Sequence, residues 1–340
     1  MDAAGDGGLR PRLATGKFAG VRLASLMAIT VLNGLIAGCA STARPVRSDS
    51  AAPAPTPTPS AVETREINLA DGWITVRMSI PARPPGPKPA VISPFDDDAA
   101  LLERGIVPVR FHTNWERLRG LTPQPEPAPE AKVGAWLLAA PRPGIVGKAY
   151  FGLITEDAFH TLPKVLDHLE TVPEIDPARI AIGGSSTGGF VALQALIADP
   201  RLCAAVVRVA CGDYHAFLKA SSLALNNDPR WLPGGTLVLD DDYEATLREI
   251  EPIRHAGRFP PRPLLLINGA DDPAIPAACA RRTARVLARA YDAAGVPERF
   301  RFELYADRGH DVGARAEIDA LAWWDRWLLV KRTGRVRRIR

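Results

Sequence analysis

Cysteine is scarce in this chain, four in 340 residues. None stands in a C-x-x-C pair and no H-E-x-x-H occurs, so the sequence offers no motif for a structural zinc or a metalloprotease helix, and neither metal nor cofactor is expected. Cys203 and Cys211 bracket the apolar run Ala204–Ala210. As a strand that run holds them about 26 Å apart at ~3.3 Å per residue, far beyond the ~7 Å between Cα atoms that a disulfide tolerates. With Cys279 on a predicted helix, free buried thiols are expected. A basic folded body is also missing. The net charge of +4 and the sequence pI near 9.0 belong to the ends. Residues 1–38 carry +2, the last ten residues carry six basic groups and no acid, and the remainder carries −4. That balance gives no support to nucleic-acid binding by the folded part. The one long apolar stretch, Leu23 to Gly38, has 16 residues, short for a membrane span.

What is present begins with that stretch. Arg10, Arg12, Lys17 and Arg22 precede it, and Leu35-Ile36-Ala37-Gly38-Cys39-Ala40-Ser41 closes it. A basic segment, an apolar segment and small residues before a cysteine form the pattern of an export signal. The last residues resemble a bacterial lipobox, which implies cleavage before Cys39, lipidation of its thiol and a membrane contact through the N-terminal lipid. Residues 39–62 follow as a proline-rich tether, including Ala51-Ala52-Pro53-Ala54-Pro55-Thr56-Pro57-Thr58-Pro59. At ~3.1 Å per residue its 20 residues Ser41 to Ser60, fully extended, hold a domain up to about 60 Å from a bilayer. Residues 331–340 read as a solvated basic tail.

The most informative residues are Ile180-Ala181-Ile182-Gly183-Gly184-Ser185-Ser186-Thr187-Gly188-Gly189. A short apolar strand runs into Gly184-x-Ser186-x-Gly188, and Phe190, Val191, Leu193, Leu196 and Ile197 follow at helical spacing. This is the strand–turn–helix setting of a nucleophile elbow. Glycines clear space for the tight turn, Ser186 is thrust out above the sheet edge, and the Thr187 N–H falls at a helix N-terminus, where negative charge is favoured. A serine hydroxyl needs a histidine to take its proton and a carboxylate to orient that histidine. Both lie downstream in the order Ser, acid, His. Pro263–Gly269 reads as a buried strand leading to Asp271-Asp272; a helix over 277–294 and an alternating strand over 300–305 lead to Gly309-His310-Asp311. Each residue then stands past the C-terminal end of a strand, where open α/β sheets bind ligands. His215 also follows a strand and is by position a further candidate for lining the site.

The segments Gly184-Ser185-Ser186-Thr187-Gly188-Gly189, Gly269-Ala270-Asp271-Asp272-Pro273-Ala274-Ile275-Pro276 and Gly309-His310-Asp311 resemble the α/β-hydrolase superfamily, in particular its dienelactone-hydrolase and prolyl-oligopeptidase-like esterase branches. The resemblance covers residues 63 to 330. It implies a mostly parallel, doubly wound sheet with helices on both faces, a Ser186–His310–Asp272 triad, and Asp272 in preference to Asp271, since the acid in these families stands three residues after the glycine. It also implies a second oxyanion donor after the strand Lys88–Ser93. There the family's His-Gly is replaced by Pro94-Phe95-Asp96-Asp97-Asp98. Proline has no N–H to donate, which leaves Phe95 or Asp96 for that role beside Thr187, with Phe95 taken as the candidate.

The remaining pattern agrees with one domain over 63–330. An antiparallel pair is predicted around Asp71-Gly72, a strand over 106–111, a proline-rich loop over 123–129, a strand over 135–140 and a helix over 156–171. Trp323, Trp324 and Trp327 suit packing on a closing helix, and 220–250 is a candidate cap over the site. The expected activity is hydrolysis of a small-molecule carboxylic ester by an exported, lipid-anchored serine hydrolase at the bacterial cell envelope. The alternatives are a serine peptidase of the prolyl-oligopeptidase type and an envelope lipoprotein that keeps the fold without turnover.

Overall fold

The structure is a computed structural model, and it describes residues 62–92, 98–113, 151, 154–225 and 241–329. The expected signal and lipidated Cys39, the tether up to residue 61, Phe95, the loop over 123–129, the strand over 135–140 and the basic tail lie outside the described residues.

Alternating apolar residues make β1 (Val62–Leu69) and β2 (Ile74–Pro81) an antiparallel pair, in register from Leu69 opposite Ile74 to Val62 opposite Pro81. Ala70, Asp71 and Gly72 all take positive φ in the turn between them, which puts the reversal where the Asp-Gly pair indicates. Ile74, Val76, Met78 and Ile80 face the core, as a period of two requires. β3 (Lys88–Ile92), α1 (Asp98–Glu103) and β4 (Val107–Thr113) follow. A single π-type turn, Asp157–Thr161, runs into α2 (Leu162–Leu169). Then come β5 (Ile175–Ser185), α3 (Thr187–Ala198), β6 (Leu202–Arg208), α4 (Tyr214–Ala220), the short α5 (Ser222–Leu225) and α6 (Asp241–Ile250). β7 (Leu264–Gly269), α7 (Ala277–Ala293), β8 (Phe300–Tyr305) and α8 (Gly313–Trp324) complete the order, the last continued by a π-type turn at Asp325–Leu329.

The strands form one eight-stranded sheet in the order β1-β2-β4-β3-β5-β6-β7-β8. β1, β2 and β4 pair antiparallel, and from β4 to β8 every pairing is parallel. Strands covered on both faces read as continuous apolar runs, and Leu264–Ile267 and Ala204–Val207 are buried throughout. α3 is buried from Gly189 to Ile197, and it is apolar on every side, as an enclosed helix should be, except at Gln194, whose amide donates to the Tyr214 hydroxyl at 2.8 Å. Phe190 on α3 packs with Phe151, Tyr214 and Phe217, at ring centroids 6.3, 5.8 and 5.3 Å away. Trp323 and Trp324 are buried, in keeping with packing.

Candidate active site

Ser186 occupies the single residue between β5 and α3, at φ 55 and ψ −120. A side-chain-bearing residue in this region is strained, and the surroundings hold it there. Its N–H donates to Arg208 O of β6 at 3.0 Å, and its carbonyl accepts from Gly189 and Phe190 at 2.9 and 3.1 Å. The turn closes only because Gly184 lacks a side chain: a Cβ there would stand 2.1 Å from Gly188 O. Thr187 is the first residue of α3, so its N–H belongs to the group of amides that a helix N-terminus leaves without an intrahelical partner.

The acid comes from the turn after β7. In a strand of leucines and isoleucine, Asn268 is wholly buried, and its amide donates to Gly269 O at 2.8 Å and Ile275 O at 2.9 Å. This draws the turn into a loop around Asp272, whose Oδ1 accepts from Ala274 N and Ile275 N at 2.8 and 2.9 Å. Asp272 is buried and Asp271 exposed. The second oxygen of Asp272 faces His310 Nδ1 at 2.8 Å.

His310 lies in the loop after β8. That loop is pinned to the acid turn by backbone bonds from Ala270 N to Tyr305 O and from Asp271 N to Arg308 O, each 2.9 Å. The approach is close: a Cβ on Gly269 would stand 2.1 Å from Gly309 O and 2.3 Å from Arg308 O. The other ring nitrogen, Nε2, lies 3.1 Å from Ser186 Oγ. With Nδ1–H donating to the carboxylate, Nε2 carries the lone pair and accepts from the serine hydroxyl; the tautomer is assigned by this network. The carboxylate side chain is fully buried while the imidazole is 42% exposed, so the site is closed behind and open in front.

Three of the residues singled out in the sequence are thus brought together across 124 positions of chain. Thr187 is placed beside them, and Phe95 lies outside the described residues. His215 is directed elsewhere: Nδ1 lies 3.1 Å from Glu251 and Nε2 2.9 Å from Glu244 of α6. Among the described residues no cluster of His, Cys, Asp and Glu has the makings of a metal site, and no helix is long and apolar enough to cross a membrane. The role of Asn268 and the tight packing at Gly269 were not expected from the sequence. A lone amide ending an aliphatic strand was the available signal for Asn268. Nothing local marks the close approach of the histidine loop to Gly269.

The sheet order and this constellation define an α/β-hydrolase fold. Comparison of the sequence narrows that class. The profile of the prolyl oligopeptidase family matches residues 153–331, and the chain belongs to that family. It is 24% identical over 184 residues to YtaP of Bacillus subtilis (strain 168), which is named a hydrolase; the match covers 54% of this chain and 56% of that protein. The chain therefore spans about half the length of this curated relative. Among solved structures, Pyrococcus horikoshii acylaminoacyl peptidase superposes with a TM-score of 0.55 at 15% identity, over 81% of this chain and 43% of its own. TT1662 from Thermus thermophilus superposes with a TM-score of 0.51 at 20% identity, over 81% of this chain and 100% of its own. Both are alike in fold.

Proposed function

We propose that this chain is a serine hydrolase that cleaves a carboxylic ester through Ser186, His310 and Asp272. The observation that carries the reading is His310 suspended between Ser186 Oγ at 3.1 Å and the buried Asp272 carboxylate at 2.8 Å. In this reading Ser186 Oγ attacks the carbonyl carbon as His310 Nε2 takes its proton. The buried carboxylate holds the tautomer and stabilises the imidazolium that forms. The oxyanion develops beside the Thr187 N–H at the head of α3, a type of contact worth about 3 kcal/mol per donor. His310 then hands its proton to the departing alcohol, leaving an acyl-serine. Water, deprotonated by the same histidine, releases the acid and restores the serine.

The same machinery acts on amides, and membership of the prolyl oligopeptidase family keeps the peptidase reading as the second one. An alcohol leaves far more readily than an amine, so an ester asks less of an open site with one oxyanion donor among the described residues. A fluorophosphonate probe followed by peptide mapping tests the nucleophile, and a working enzyme is labelled at Ser186. Acyl nitrophenyl esters of graded chain length, run beside peptide nitroanilides, test the substrate class; faster turnover of the nitroanilides overturns the ester reading. Attachment to a membrane through lipidated Cys39 is part of the proposal and rests on the residues before Cys39. Mass spectrometry of the mature N-terminus decides it, and an unmodified peptide running through Gly38-Cys39 refutes it.

A further inference from the structure

Two cysteines distant in sequence meet beside a cavity that the proposed hydrolytic chemistry does not use. Residues 211–213 follow β6 and dock on the first turns of α7 at three adjacent points. The Cys211 side chain stands next to that of Cys279, and its S–H donates to Asp213 O at 3.7 Å. Gly212 N donates to Thr283 Oγ1 at 2.8 Å, and that hydroxyl donates in turn to Cys279 O at 3.0 Å. Asp213 pairs with Arg282 at 2.5 Å. These contacts hold the segment that carries Cys211 against the turn of α7 that carries Cys279. Both residues are free thiols and both are buried.

The two thiols are unequal. Cys279 lies in the first turn of α7, where the helix favours an anion, and the neighbouring Cys211 thiol holds its pKa below the ordinary thiol value. Burial pushes Cys211 the other way. Their access differs too. Cys279 lines a cavity of about 390 Å³ whose wall also includes Asp213, His215, Lys219, Ala278 and Arg282, whereas Cys211 does not border it. The wall carries two cations against one carboxylate, Asp213, which Arg282 already engages. Glu244 and Glu251 stand on His215. An entering carboxylate thus meets Lys219 and Arg282.

We propose that Cys279 and Cys211 form a redox-convertible dithiol whose oxidant is a small disulfide bearing carboxylates, admitted through this cavity. Cys279, as thiolate, attacks one sulfur of the disulfide, forming a mixed disulfide and expelling one thiolate. Cys211 loses its proton, attacks Cys279 Sγ and expels the second thiolate. Two protein thiols and one disulfide become one protein disulfide and two small thiols; the protein is oxidised by two electrons and the reagent reduced by two. Cys279 is the attacking residue and Cys211 the resolving one. The inference does not depend on Ser186 or on the substrate class.

The test uses the full chain with Cys39→Ser and Cys203→Ser, treated with 5,5′-dithiobis(2-nitrobenzoate), a disulfide carrying two carboxylates. The expected result is release of two equivalents of the coloured thiol, no retained adduct, and a peptide map linking Cys211 to Cys279. Adding Cys211→Ser should halve the release and leave the adduct on Cys279. Adding Cys279→Ser should abolish release in the folded protein. Lys219→Glu should slow the reaction several-fold while leaving the rate with neutral 2,2′-dithiodipyridine unchanged. A lasting mixed disulfide on Cys279 with Cys211 still open to alkylation overturns the proposal. So does release from the denatured chain alone, or full-rate release from the Cys279→Ser protein. The map of the chain retaining both thiols decides the matter even where a variant fails to fold.

Discussion

At the scale of single residues, the site divides two adjacent aspartates by environment. Asp272 is buried under His310, and Asp271 is exposed with its backbone spent on Arg308 O. Asp272→Asn is expected to lower ester turnover by about 10³–10⁴-fold, through loss of the tautomer that leaves Nε2 free to accept a proton. Asp271→Asn should change it less than about threefold, an effect below ~0.7 kcal/mol. Steady-state kinetics on both variants checks the pair, and the opposite ranking removes Asp272 from the role. Ser186→Ala should abolish both turnover and fluorophosphonate labelling with the thermal midpoint preserved, while Ser185→Ala stays active. A third aspartate is expected to act on stability. Burial raises the Asp157 carboxyl from 3.8 to about 7, against a hydrogen bond from Thr113 that favours its charge. An acid with a raised folded pKa contributes its full stability below the unfolded pKa and loses it as pH climbs through the folded value. The residue keeps part of its surface in water, which trims the effect to about 2 kcal/mol between pH 4 and 8. Asp157→Asn should flatten that slope in denaturation measured across the window.

At the scale of elements, the distances in the site follow from how closely backbones approach. Gly269 ends β7 against the loop that carries His310, and the space for even one methyl is taken by carbonyl oxygens. Gly269→Ala must push that loop away, at a cost of about 1–3 kcal/mol. It should reduce turnover more than tenfold, since a misplacement near 1 Å is worth about that much or more. Thermal unfolding and kinetics on one preparation separate the two effects; a Gly269→Ala protein with normal turnover disproves the packing argument. On α3, Phe190 anchors the elbow helix in the aromatic cluster with Phe151, Tyr214 and Phe217. Phe190→Ala is expected to cost about 3–5 kcal/mol in chemical denaturation.

At the scale of the whole molecule, the sheet opens at Val62, one residue ahead of the boundary that the loss of proline and the onset of alternation mark. A chain from Val62 to Val330 is therefore expected to stay soluble and to react with fluorophosphonate as the full chain does. Loss of either property places residues 1–61 or 331–340 within the folded unit. The family match covers 153–331, the half that holds all three site residues. The described entry strands β1, β2 and β4 turn the sheet antiparallel on the other side.

Much of this was legible along the chain, because the chemistry is local to three short motifs. Gly184-x-Ser186-x-Gly188 after an aliphatic strand announces the elbow, and strands alternating with helices imply parallel pairing. Spacing after Gly269 favoured Asp272 over its neighbour through family resemblance; its burial came only with the amide of Asn268 closing the loop around it. Tertiary structure decided what depends on elements far apart in sequence. His215, a possible site residue by position, is held between Glu251 and Glu244 of α6 instead. Spacing along β6 excluded a Cys203–Cys211 contact, but only the docking of the segment after β6 on α7 brings Cys211 to Cys279. A sequence carries local turn chemistry and the period of burial in its own order. Which loops meet at a sheet edge, and which thiols face each other, is set by strand order, and here that order runs β3-β5-β6-β7-β8 across the site.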